Sequence, residues 1–186
     1  MNKQPEATKQ TKENLKKAFW TLYTQKGIEK ITVKEVVNLA GYNRTTFYLY
    51  YQDLYDLLEQ IENEVIDHID SALNDYRIDK IEETLPALMN IFTESLLAYS
   101  EIVSALMSEH GDPKFSLRLK ETIWPFLMKW LLPETNYDEY EMNLLSEFYL
   151  SGLIALINKW NQDNQMSVQE LVAFILPIVF PNIPNE

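Results

Sequence analysis

Residues Thr32 to Leu54, TVKEVVNLAGYNRTTFYLYYQDL, decide how the rest of this chain reads. Thr32 followed three residues later by Glu35 has the form of a capping box. In it each side chain satisfies a backbone N–H that the first helical turn leaves orphaned, so a helix is predicted from Val33. Val33, Val36, Val37 and Ala40 recur at helical spacing and give one apolar stripe. Gly41 follows the last of them, where a left-handed backbone ends a helix without steric cost. Asn43 is a good N-cap for a second helix from Arg44, its side-chain oxygen placed to accept from the N–H of Thr45 or Thr46. Only Tyr42 and Asn43 lie between Gly41 and that second helix, a connection that forces steep crossing. The pattern over 33–51 is therefore that of a helix-turn-helix, whose second helix fits the DNA major groove.

Phe47 and Tyr51 lie four apart and face the core with Leu54 one turn on, which leaves Arg44, Thr45, Tyr48 and Leu49 on the outer side. Arg44 carries a fork of donors suited to guanine or phosphate. Thr45 offers a hydroxyl and a methyl, Thr46 a hydroxyl for phosphate, and Tyr48 a ring for a thymine methyl and an OH for backbone oxygen. With Lys34, Tyr42, Asn43 and Tyr50 these are the candidate DNA-binding residues. The other reading of the same local pattern is a small helical hairpin with ordinary half-buried tyrosines.

GYNRTTFYLYY followed by a Leu-rich helix resembles the DNA-binding domain of the tetracycline-repressor (TetR) family of bacterial regulators. Its second and third helices read roughly T-x-x-x-I-A-x-x-A-G-V-S-x-x-T-x-Y-x-x-F. Thr32, Ala40, Gly41, Thr46 and Tyr48 match, and Tyr51 replaces the Phe. The family's Ser or Thr cap is Asn43 here, and the Lys near the start of the fourth helix, a phosphate contact in much of the family, is Leu54. The resemblance thus implies DNA binding without that one contact.

The chain has 186 residues, 46% hydrophobic and 12% aromatic, enough to bury a sizeable core. Its net charge of −12 runs against nucleic-acid binding until its distribution is considered. Residues 1–52 carry nine Lys and Arg against four acids, a net of +5, and the remainder −17. A basic end on an acidic body suits docking of that end alone, since counterion release draws it to DNA while the body is repelled. A solvated gradient with no partner is the alternative. There is no cysteine, hence no disulfide framework or thiol chemistry. The N-terminal MNKQPEATKQTKEN lacks an apolar leader, and the longest nearly apolar run, LVAFILPIVFP from Leu171, is about half of the ~20 residues of a membrane span. These features predict a soluble cytoplasmic protein with no membrane partner, associated with the nucleoid when on DNA.

Outward from the motif, residues 8–25 make a first helix with Leu15, Phe19, Leu22 and Tyr23 on one stripe, ended at Gly27. Lys12, Lys16 and Lys17 on its other faces are candidate non-specific phosphate contacts. Residues 8–53 thus form a three-helix DNA-binding domain and residues 54–186 a helical regulatory and dimerisation domain. A long fourth helix, capped by Asp53 and running to about Tyr76, joins them as a lever. Ile81 to Leu96, residues 101–109, Lys114–Leu132, Tyr137–Trp160 and Ser167–Phe180 read as further helices. His110 stands in a break, Pro125 falls inside the seventh, Pro133 ends it, and Ser167 with Glu170 forms a second capping box. The fold class is all-α, with about nine helices.

The last two helices carry more than amphipathicity. Ser151, Gly152 and Ala155 set small side chains among Phe148, Leu153, Leu156 and Trp160, and an internal Gly costs about 1 kcal/mol relative to Ala. Close approach of another helix offsets that cost, with Leu171, Phe174, Ile175 and Ile178 as the partner stripe. Two such helices from each of two chains make a four-helix homodimer interface of Phe148, Ser151, Gly152, Ala155, Leu156, Leu171, Phe174, Ile175 and Ile178; burial within one chain is the alternative. GDPKF at Gly111, YLSGLIALINKW and MSVQELVAFI look like the C-terminal domain of a TetR-type subgroup of low-GC Gram-positive bacteria, in which the last two helices form the dimer.

No enzyme constellation is present: no phosphate loop, nucleophile elbow, H-E-x-x-H or cysteine cluster. Glu64 and His68, with Asp67 nearby, are one turn apart, a spacing that occurs in metal sites but far more often marks a paired helix histidine; no metal or cofactor is expected. Roughly 110 residues beyond the lever exceed what dimerisation needs. Phe92, Tyr99, Met107, Trp124 and Met128, with Phe115, Phe126 and Trp130, can line a pocket or be solid core. The resemblance implies that a small-molecule effector bound there shifts the lever helices and breaks docking on half-sites ~34 Å apart. The expected function is a homodimeric DNA-binding regulator, a repressor released from a palindromic operator by that effector; the alternative is a dimer gated by a partner protein or acting constitutively.

Overall fold

The computed structural model describes residues 3–75, 81–108, 111–131, 136–163 and 165–179. The expectations for His110, Pro133 and Phe180 lie outside them. All regular structure among the described residues is helical: α1 Lys3–Lys26, α2 Val33–Ala40, α3 Arg44–Tyr48, α4 Leu54–Asp75, α5 Ile81–Leu106, α6 Pro113–Leu131, α7 Glu139–Asp163 and α8 Val168–Val179. A single 3₁₀ turn, Ile28–Lys30, joins α1 to α2. The chain is all-α, as its periodicity predicts. The fifth and sixth predicted helices run on as α5, because no Gly or Pro separates Leu96 from Glu101. α1 starts earlier than predicted, since Pro5 falls in the first turn, where a helix needs no N–H from it.

The residues divide into two compact units, Met1–Glu64 and Val65–Glu186. In the first, Leu15, Phe19, Val36, Phe47 and Leu57 are fully buried, with Ala18, Tyr23, Ile31, Val37 and Tyr51 nearly so. Each of the Leu, Phe and Val side chains contributes about 1.5–3 kcal/mol on burial, which is what holds the three helices together. The unit extends into α4, whose Leu54, Leu57, Leu58 and Ile61 are all buried. Asp53 caps α4 by accepting from the N–H groups of Tyr55 (2.8 Å) and Asp56 (2.9 Å).

The second unit is centred on α8. Val168, Leu171, Val172, Ile175, Leu176 and Val179 recur at i, i+3, i+4, i+7, i+8 and i+11 and are buried against Leu96 of α5, Leu127 of α6 and Leu150 of α7. Ser167 and Glu170 form the predicted capping box: Glu170 accepts from the Ser167 N–H (2.7 Å) and donates its own N–H to Ser167 Oγ (3.2 Å). The backbone N–H of Ser167 holds the Glu170 carboxyl below its ordinary range. α6 begins at Pro113, with Asp112 accepting from the Lys114 N–H at 2.8 Å, and continues through Pro125.

Candidate nucleic-acid interface and ligand cavity

The turn between α2 and α3 is built as its residues dictate. Thr32 Oγ1 accepts from the Glu35 N–H (3.3 Å) while Glu35 Oε2 accepts from the Thr32 N–H (2.9 Å), closing the capping box. Glu35 also receives Lys26 Nζ at 2.7 Å. This bond from Lys26, with those from Thr32, holds its carboxyl at about 2 against an ordinary 4.5. Gly41 takes φ 76°, ψ 28°, and the N–H of Tyr42 bonds back to the Val37 carbonyl at 2.8 Å, the six-to-one closure of a left-handed helix end. Asn43 Oδ1 then accepts from the Thr46 N–H (2.8 Å) and Thr46 Oγ1 (3.1 Å), starting α3.

α3 has two faces. Phe47, fully buried, stacks obliquely on Tyr51 at 5.4 Å and meets Tyr48 edge-on at 5.5 Å, which locks the helix to the core. Burial pushes the Tyr51 phenol well above its ordinary range. Outward lie Arg44 and Thr45, exposed, with Tyr48 (58% exposed) and Leu49 (72%). Among the candidates, Lys34 and Asn43 are also exposed, and Tyr42, Thr46 and Tyr50 are half-buried. Tyr42 is held by Asn14, whose Nδ2 donates to its OH at 3.1 Å, and Lys12 Nζ sits 5.8 Å over the Tyr50 ring. Asn43 Oδ1 and the Thr46 hydroxyl are committed to the cap first. Leu49, placed outside by the sequence but given no role there, is the most exposed apolar side chain of this surface; its position directly after the candidate DNA-binding residues was the available signal.

The lysines of α1 differ in what they can reach. Lys16 pairs with Glu64 and with Glu13 (3.7 Å), so it ties α1 to the middle of α4 and its charge is spent within the unit. Lys17 is exposed and Lys12 half-buried. Glu64, one turn before His68, is engaged by Lys16 of α1. The His68 ring instead packs on Tyr99 at 4.7 Å, and no group of three or more potential metal ligands occurs among the described residues.

The second unit contains a partly open cavity of about 130 Å³. Ile69 and Leu73 of α4 contribute to its wall, with residues of α5, α6, α7 and α8. Phe92, Tyr99 and Phe126 of the predicted set line it. Met107, Trp124 and Met128 do not: the lining residues of α5 follow the face of Phe92, Ser95, Tyr99 and Val103, and Met107 lies past the last turn. Trp124, a quarter-turn from Ile123, packs on the α8 cluster instead. Phe115 is solid core.

On α7 and α8 an outer apolar face remains. Phe148 is 74% exposed, Ser151, Gly152 and Ala155 are exposed, and Phe174 and Ile178 are each 55% exposed. Leu144, one turn before Phe148 and 53% exposed, belongs with them and was legible from the same spacing. Leu171 and Ile175 do not, because their side chains point into the α8 core, and Leu156 packs against that core as well. No helix of the described residues is long and apolar enough to cross a membrane.

A family model described as a transcriptional regulator C-terminal region matches residues 82–180, just over half of the chain. Comparison with curated proteins finds no match. Among solved structures, a TetR transcriptional regulator from Streptococcus agalactiae is 26% identical, with a TM-score of 0.63 over 95% of this chain and 97% of that one. A TetR-family transcriptional regulator from Syntrophomonas wolfei is 19% identical, with a TM-score of 0.67 over 92% of this chain and 93% of that one. The fatty acid degradation regulator FadR from Bacillus halodurans is 17% identical, with a TM-score of 0.63 over 95% and 97%.

Proposed function

This chain belongs to the TetR family of transcriptional regulators, and from that premise we propose that it acts as a homodimeric repressor, released from a palindromic operator by a small molecule bound in its C-terminal unit. The observation that carries the reading is the two-faced α3. A helix of five residues, pinned by Phe47 and capped by Asn43, presents Arg44, Thr45, Tyr48 and Leu49 to solvent together. Arg44 reads guanine or clamps phosphate, Thr45 and Tyr48 supply hydroxyls and apolar contact, and Leu49 meets thymine methyls. Lys34, at the exposed start of α2, and Lys12 beside Tyr50 add phosphate contacts, while Asn43, Thr46, Tyr42 and Tyr50 position the helix.

Dimerisation uses Leu144, Phe148, Ser151, Gly152, Ala155, Phe174 and Ile178. A β-carbon at Gly152 meets nothing within 4 Å in the protomer, so the space is available to a partner helix. Release is supported by the cavity wall: a ligand that touches Ile69 and Leu73 bears on α4, whose first turns belong to the reading unit. The ligand switches the protein only to the extent that it binds the released state more tightly than the docked one.

The test is to pass random duplexes over the purified protein at low salt and sequence what is retained. An inverted repeat with half-sites centred one helical turn, ~34 Å, or a multiple apart is the expected result. Retention without sequence enrichment, or none at all, overturns the proposal.

A further inference from the structure

We propose that the effector of this protein is an uncharged, hydrocarbon-like molecule about the size of a single aromatic ring, held without any polar anchor. The proposal rests on the effector-gated reading above for what the ligand does, though not for its binding. The cavity of about 130 Å³ is bounded by Ile69, Phe92, Val103, Ile123, Leu153 and Ile157, among others, and the surface facing the void is carbon almost throughout. Ser95, Tyr99 and Ser100 are in its walls, yet their hydroxyls offer the void next to nothing. Among the described residues of the lining Lys120 alone is charged, and its Nζ is engaged by Glu147 at 2.6 Å, so only its aliphatic stem is left to the cavity.

Physical chemistry narrows the occupant from these facts. A charged or strongly hydrogen-bonding ligand gives up its hydration on entering and finds no compensating partner, a penalty of several kcal/mol per group. An anionic ligand would have to take Lys120 from Glu147. Water needs two to four polar partners to be held, whereas an apolar cavity of ~150 Å³ is known to stay dry and bind benzene. An apolar ring or short chain of matching volume gains by burial alone.

Four probes of similar size decide the matter: toluene, n-hexane, benzoate and hexanoate, each added to the full-length protein during thermal unfolding. Toluene and n-hexane are expected to raise Tm by about 3–6 °C near tenfold saturation, and the two carboxylates at equal concentration not to. Val103→Phe on α5 and Ile123→Phe on α6 fill the cavity from two sides and should abolish the response. If either variant fails to fold, the other and the wild-type probe series still decide. Stabilisation by the carboxylates alone, or by none of the four, overturns the proposal. Retention of DNA by the free protein with no response to toluene overturns this inference alone. A toluene response in a protein that retains no DNA upholds the ligand class and overturns the function proposed above.

Discussion

Replacing Phe148 by Ala should dissolve the dimer while leaving the protomer folded. Its side chain is 74% exposed in the single chain, so its removal opens no cavity there. Full burial of a Phe is worth about 1.5–3 kcal/mol, and three-quarters of that remains for a partner to gain. A two-fold interface uses the residue twice, which brings the loss to about 2–4 kcal/mol per dimer. That corresponds to a weakening of the dimer dissociation constant by roughly 30- to 1000-fold. Sedimentation velocity across a dilution series measures it, with far-ultraviolet circular dichroism to show that helix content is kept. Gly152→Leu should act in the same direction by a different route, since the new side chain meets open space in the protomer but occupies the room a partner helix needs. Both should also lose operator binding, because two half-sites must dock together. An unchanged dissociation constant in both variants would refute the assignment of this face. A loss of helix content in the Phe148 variant would refute the claim that its side chain is idle in the protomer.

Further predictions concern the reading unit and one close approach. Arg44→Ala should weaken specific operator binding by ~1–3 kcal/mol and relax sequence preference at one position; a uniform loss on all sequences with a reduced salt slope, measured by fluorescence anisotropy, would make Arg44 a phosphate clamp. Glu35 titrates at about 2 in the folded protein against an ordinary 4.5, so its stabilising contribution is complete above pH 4.5 and is lost as pH falls toward 2. Glu35→Gln should therefore destabilise the protein at pH 7 and flatten the fall of Tm over that acid window; an unaltered acid profile counts against the Lys26–Glu35–Thr32 cluster. Gly111→Ala would place a β-carbon 1.7 Å from the Leu106 carbonyl oxygen, a backbone atom, so the joint between α5 and α6 must shift at a cost of about 1–3 kcal/mol in chemical denaturation.

Those features that depend only on near neighbours in the chain were legible before any coordinates. The capping boxes at Thr32–Glu35 and Ser167–Glu170, the left-handed close at Gly41 and the Asn43 cap are contacts between residues three to five apart, so spacing specifies them. The helical class and the two faces of α3 follow from periodicity in the same way, and so did the family, through residues held close together in one short motif. Where apolar residues covered more than one face of a helix, periodicity had no means of choosing between faces. On α8 it took Leu171 and Ile175 with Phe174 and Ile178 as one outward stripe, whereas packing turns the first pair inward. Lys16 read as a free phosphate contact until the fold brought Glu64, forty-eight residues away, against it. The cavity walls were decided the same way, since which of Phe92, Trp124 and Met107 meet a shared void depends on how five helices are rotated about their axes. Local order is written in adjacent residues because the bonds that make it are short-range; burial and charge pairing are decided by which surfaces the folded chain brings together.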